Sequence, residues 1–169
     1  SLAGGDLTKA AQLSADITVI GSTPTGRALT GSGGQAGDSL FVTGPLGAMA
    51  ASGYQLRPEP KLDAGLRLRR LRASACMDIS DGLALDLHRL ALASGLAADL
   101  DHVPVASGAT LDQALHGGED YELLFTLPPG KRAPTGSIRI GYLHSGKPGQ
   151  IRFQGRRIDA KGWDPFTKS

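Results

Sequence analysis

Residues 74–90, "SACMDISDGLALDLHRL", change period halfway along. The first part, 74–80, is a short apolar run with the pattern of a buried strand. From Asp81 onward Leu83, Leu87 and Leu90 recur at i, i+4 and i+7, with Ala84 and Ala91 beside them and Asp86 and Arg89 facing elsewhere. That is a helix with one apolar face, expected to end at Gly95. A strand leading directly into a helix leaves only a tight turn between them. Asp78, Ser80, Asp81 and Gly82 occupy it. Two carboxylates this close repel each other unless water solvates them or positive charge lies between them. Asp81 alone reads equally well as a helix N-cap, a role worth about 1 kcal/mol. Capping leaves Asp78, at the strand end, unexplained.

Around this unit the pattern predicts strands over 14–21 ("SADITVIG"), 39–44, 96–101, 120–127 and 137–144, and a strand pair over 149–158 turning at Gly155. Helices are expected over 45–56, 61–73 and 109–115. A long polar loop spans 24–38, and the tail from Ala160 reads as loop. Strands and helices interleave without a regular βαβ period, so the expected class is α+β with a mixed or antiparallel sheet and packed helices.

Composition narrows the function classes. With 169 residues, 40% hydrophobic and 20% charged, the chain is long enough for one sizeable core and has globular composition. A formal net charge of +2 is too small to argue for a nucleic-acid partner. The one basic concentration, Arg67, Arg69, Arg70 and Arg72, falls in a helical pattern and reads as a solvated face. No apolar run reaches the length of a membrane span, so no membrane partner is expected. The single cysteine, Cys76, excludes an intrachain disulfide and favours a cytoplasmic setting. Between Ala75 and Met77 it reads as a small buried residue rather than a nucleophile.

Glycine beside an acid recurs in "GGD" (4–6), in "DISDG" (78–82) and in "HGGEDYEL" (116–123), which contains Glu119, Asp120 and Glu122. Neither a GxxxxGK[ST] loop nor a GxGxxG fingerprint is present, and Cys and His are scattered without zinc spacing. Taken singly, glycine pairs are turns and the acids are solvated charges. Taken together, they suit metal-dependent nucleotide chemistry: glycine lets the backbone approach polyphosphate, and a carboxylate holds a hard cation such as Mg2+ through oxygen.

The ordered set "GGD" (4–6), "GRALTGSGGQAGDSLFVTGPLG" (26–47), "MDISDGLALDL" (77–87), "GGEDYELLF" (117–125) and "GWDPF" (162–166) closely resembles the thiamine-monophosphate kinase family, within the superfamily of aminoimidazole ribonucleotide synthetase and selenophosphate synthetase. The resemblance runs in order over essentially the whole chain. It implies an aminoimidazole-ribonucleotide-synthetase-like carboxy-terminal domain over 27–169. Residues 1–26 would be the last part of an amino-terminal ATP-binding domain, which in the family carries further metal-binding acids and most of a homodimer interface.

The resemblance also implies a reaction, phosphoryl transfer from ATP to thiamine monophosphate with Mg2+. By motif position, Gly5, Asp6 and Ser80 would contact ATP, and Asp6, Asp78 and Asp81 would bind metal. Glu119 and Trp163 would contact the thiamine phosphate. Two positions depart from the family pattern. Gly31 stands where an ATP-contacting arginine is usual, with Arg27 four residues earlier, and Leu7 stands where a threonine usually follows the GGD. Two alternatives stay open: another ATP-dependent synthetase of the superfamily, and a non-catalytic nucleotide- or phosphate-binding module.

Overall fold

The computed structural model describes residues 4–6, 8, 9, 11, 12, 14–47 and 58–163. In chain order the elements are β1 (Ser39–Val42), α1 (Leu62–Leu71), β2 (Ala75–Asp78), α2 (Leu83–Ala93), β3 (Ala97–Leu100), α3 (Leu111–His116), β4 (Leu123–Leu127), β5 (Ile138–His144), β6 (Ile151–Phe153) and β7 (Arg156–Ile158). The strands form one sheet in the order β2-β4-β1-β5-β3-β6-β7. Every neighbouring pair is antiparallel except β3 with β6, so the sheet is mixed.

Side-chain alternation along the strands divides the core in two. Leu40 and Val42 of β1 and Leu124 of β4 join Leu83, Leu87, Leu90 and Ala91 of α2 and Ala114 and Leu115 of α3 in the main cluster. Phe125 and Leu127 of β4 point the other way, into a smaller cluster with Leu68 of α1, and Phe125 stacks on Phe41 at 5.4 Å between ring centroids. The i, i+4, i+7 leucines of α2 are therefore its buried stripe. Arg67, Arg70 and Arg72 are exposed, as a solvated face requires, but Arg69 is half-buried and its Nη1 donates to Thr23 Oγ1 at 3.3 Å. Cys76 is half-buried and its thiol is pushed up to about 12, chiefly by burial and then by Asp78, so it carries no thiolate.

Three sequence expectations need correction. Residues 14–21 form no strand. They have no ladder partner among the described residues, and Ile17, Val19 and Ile20 are 88–91% exposed. β-branched residues favour an extended backbone, but a strand also needs a neighbour to hydrogen-bond. The helix expected from Pro45 does not start there: Leu46 instead forms a bridge with Val105, and residues 48–57 lie outside the described set. Finally, Asp86 does not lie on a polar face. It is fully buried.

No helix among the described residues is long and apolar enough to cross a membrane.

Candidate active site

The turn between β2 and α2 is zipped to the "GGEDY" segment by backbone hydrogen bonds that continue the β2–β4 ladder beyond its last pair, Asp78 with Leu123. Ile79 N–H donates to the Glu122 carbonyl at 2.8 Å, Tyr121 N–H to Ile79 at 2.9 Å, and Glu119 N–H to Ser80 at 2.8 Å. Gly118 makes the approach possible. It has φ +67°, and a Cβ there would lie 2.7 Å from the Ser80 carbonyl oxygen. Glu119 and Tyr121 adopt φ values of 57° and 51° without being glycine. Left-handed backbone costs such residues about 1–2 kcal/mol each, and strain of this kind gathers at functional sites.

A third segment closes the site. Trp163 N–H donates to the Asp81 carbonyl at 2.9 Å, and His116 Nδ1 lies 3.1 Å from the Lys161 carbonyl, an arrangement that needs the proton on Nδ1. Gly162 passes so close that a Cβ would sit 2.3 Å from the Asp81 oxygen. Trp163 remains 62% exposed, which rules out its acting as a core plug. Ser80, Asp81, Gly117, Glu119, Tyr121 and Trp163 thus line one cleft of about 510 Å3.

Of the residues singled out in the sequence, Ser80, Asp81, Glu119 and Trp163 meet here. Asp78 is exposed at the end of β2, next to the turn. Gly5 and Asp6 are exposed and do not line the cleft. A wider, mostly apolar hollow of about 640 Å3, lined in part by Leu62, Leu66, Cys76 and Leu123, shares no residue with it.

Asp81 is not the cap of α2. Gly82 holds that position, and no side chain caps it. Asp86, one turn into the helix, reaches back instead: its Oδ2 accepts the Ser80 and Asp81 N–H groups at 3.1 and 3.0 Å. Burial, with the Asp81 charge adding to it, raises the Asp86 pKa, and the Asp81 N–H and Arg89 oppose that shift. The Asp81 carboxylate is therefore free for other partners and pairs with Arg89 Nη1, which also bonds Asp86 Oδ1 at 2.9 Å. This contact with Asp81 is the main reason the Arg89 pKa is raised.

The acids of "HGGEDYEL" divide by exposure. Glu119 faces the cleft and is exposed, while Asp120 and Glu122 are buried. Glu122 ties Thr43 and Lys61 together, with Lys61 Nζ at 2.8 Å. Asp120 Oδ1 accepts the Gly47 N–H at 2.8 Å, and its buried Oδ2 has no hydrogen-bond partner among the described residues.

Asp86, Arg89 and Tyr121 escaped the sequence reading. An Asp and an Arg three apart on a helix look like a solvated ion pair, and nothing in a tyrosine's identity signals a positive φ.

The donor chemistry fits a hard cation. Asp78 and Asp81 supply carboxylate oxygens, and Asp81 already holds a positive charge in Arg89. Among the described residues no three His, Cys, Asp or Glu side chains gather into a closed cage. Carboxylate oxygens are donors that a hard cation takes together with water and phosphate oxygens.

No family model matches the chain. It is 37% identical over 177 residues to the thiamine-monophosphate kinase of Escherichia coli K12, covering 87% of this chain and 53% of that protein. It is 39% identical over 147 residues to the thiamine-monophosphate kinase of Rhodopirellula baltica, covering 79% and 46% respectively. Its fold superposes on a structure of AaThiL complexed with AMPPCP and TMP with a TM-score of 0.73 at 30% identity, over 82% of this chain and 54% of that one. Likeness to Escherichia coli HypE, a hydrogenase maturation protein, reaches a TM-score of 0.64 at 21% identity over 86% of this chain and 56% of that one, and speaks to the fold alone. The chain spans about half the length of the relatives it matches. Over that span, sequence and α+β fold together make it a relative of the thiamine-monophosphate kinases.

Proposed function

We propose that the protein to which this chain belongs transfers a phosphoryl group from ATP to thiamine monophosphate, and that the cleft at Ser80, Asp81, Glu119 and Trp163 is part of its active site. The observation that carries this reading is convergence: segments far apart in sequence, each marked separately by its residues, line one cleft. The relatives that match over most of the chain are named for this kinase activity.

In this reading Asp78 and Asp81 hold Mg2+, and Ser80 contacts ATP. Glu119 faces the thiamine phosphate, and the Trp163 indole lies against its cationic ring system, a contact worth roughly 0.5–2 kcal/mol. When bound, Mg2+ neutralises charge on the phosphate oxygens. The protein's own contribution is alignment: phosphoryl transfer needs little covalent help once donor and acceptor oxygens are held in line. The bonded net between the β2–α2 turn, the GGED segment and the Trp163 strap supplies that rigidity.

Gly5 and Asp6 belong, on this proposal, to the ATP and metal site as residues of an amino-terminal domain to which 1–26 contribute, with 27–169 forming the α+β domain. The bare side chains of Ile17, Val19 and Ile20 support that division, because they lack a covering partner here. A cytoplasmic homodimer is the corresponding expectation for the intact enzyme. The test is chromatographic detection of thiamine diphosphate and ADP after incubating the full-length enzyme with thiamine monophosphate, ATP and Mg2+. ATP hydrolysis unaffected by thiamine monophosphate, with no thiamine diphosphate formed, refutes the proposal.

A further inference from the structure

Arg89 already holds one carboxylate oxygen of Asp81, so a cation arriving at Asp81 meets a positive charge. Its Nη1 bonds Asp81 Oδ2 and, at 2.9 Å, Asp86 Oδ1. The two acids differ in freedom. Asp86 is fully buried, and its second oxygen is committed to the Ser80 and Asp81 N–H groups. Asp81 is partly open, its side chain 21% exposed and lining the cleft, and the Arg89 side chain is 45% exposed. A long arginine stem can therefore swing toward water while staying anchored at Asp86.

We propose that Arg89 is a tethered counter-cation. It neutralises Asp81 when no divalent cation is present, competes with one for that carboxylate, and so sets the cation concentration at which the site fills. This rests on Asp81 being a metal ligand, as proposed above. The reasoning is electrostatic. An Asp81 Oδ2 that accepts a guanidinium is a poorer donor to a small dication, because the same lone-pair density serves both. A guanidinium left beside the dication would repel it. Because Asp86 and the backbone bonds to the 117–122 segment and Trp163 hold the turn, it keeps its shape when Arg89 lets go. Arg89 thus tunes affinity without building the site.

The rival role for Arg89 is to aim the Asp81 carboxylate into the cleft, and it predicts the opposite sign. The probe is Mn2+, titrated into the full chain without nucleotide and followed by loss of the free-ion paramagnetic resonance signal. Arg89→Gln should bind Mn2+ more tightly than the unsubstituted chain, by roughly two- to fivefold, the scale of one part-exposed ion pair. Arg89→Met keeps the packing of the apolar stem but carries no charge to set against Asp81. It should also bind more tightly, and it decides the matter if the glutamine variant fails to fold. Equal or weaker binding in the folded variants overturns the inference, as does absence of Mn2+ binding to every form. Asp81→Asn separates the two proposals. If it leaves Mn2+ affinity unchanged, the metal reading of Asp81 fails. If it abolishes binding while Arg89→Gln changes nothing, only the role given to Arg89 fails.

Discussion

The backbone N–H of Trp163 is bonded to the carbonyl of Asp81 at 2.9 Å, so the exposed indole and the acidic turn are one mechanical unit. The bond exists because Gly162 has no side chain. A Cβ there would collide with the Asp81 oxygen at 2.3 Å and with Leu85 Cβ at 2.8 Å. Gly162→Ala in the intact enzyme should push the strap off the turn and raise the KM for thiamine monophosphate several-fold, on the scale of a lost cation–π contact. The KM for ATP and the melting temperature should change little. Steady-state kinetics with each substrate varied in turn checks this, and an equal rise in both KM values contradicts it.

Asp81 and Asp86 lie in the same few residues yet should behave oppositely when replaced. Asp81→Asn removes a carboxylate whose partner, Arg89, is exposed, so it should cost no more than about 1 kcal/mol of stability. Asp78→Asn, at an exposed strand end, should cost less. Both should reduce kcat by at least about a hundredfold in the intact enzyme. Asp86→Ala leaves two N–H groups without their acceptor and takes one of two acceptors from the Arg89 guanidinium, a loss of roughly 2–4 kcal/mol. Thermal melts paired with activity assays separate the three. A large stability loss from Asp81→Asn would instead make its pairing with Arg89 a structural contact.

Much of this arrangement is legible in the sequence, and what is not has physical causes. The leucine period of α2 and the glycine–acid motifs reveal themselves because periodicity and backbone freedom are local properties. Ile17, Val19 and Ile20 mark an extended segment, but pairing depends on a neighbour that composition cannot locate. Asp86 is hidden for a related reason: an aspartate reads as polar surface until the fold brings unpaired N–H groups within its reach. Tyr121 enters the cleft through a strained backbone that its identity does not announce.

Gly31 departs from the family pattern without a steric reason. A Cβ at that position would have only Met77 Sδ near it, at 4.0 Å, and its φ lies outside the left-handed region that favours glycine. Gly31→Arg should therefore fold normally and, in the intact enzyme, lower the KM for ATP by several-fold through an added charge-assisted bond to phosphate. Kinetics at varied ATP test this, and an unchanged or higher KM shows that Arg27 already fills the role or that the arginine site lies elsewhere.

Asp120 gives the fold a pH dependence. Burial lifts its pKa from the usual 3.8 to about 6; the Gly47 N–H opposes the shift and Glu122 adds to it. The folded state therefore favours the protonated acid. Its contribution is complete below about pH 4 and is lost as the pH rises through about 6, by at most about 3 kcal/mol. Asp120→Asn cannot ionise, so its melting temperature relative to the parent chain should rise between pH 4 and 7 and then level off. A difference that stays flat across that range contradicts the assignment.

The most direct test of the central claim, that this cleft receives the thiamine phosphate, uses the chain's only tryptophan. Thiamine monophosphate titrated into the intact enzyme should quench Trp163 fluorescence, read as the part of the signal that Trp163→Phe removes. ATP with Mg2+ alone should leave it nearly unchanged. Glu119→Gln, which alters the facing wall of the cleft without touching the indole, should shift the quenching curve to higher thiamine monophosphate concentration. Quenching by ATP alone, or a thiamine monophosphate curve that Glu119→Gln does not move, would place the substrate elsewhere and contradict the account.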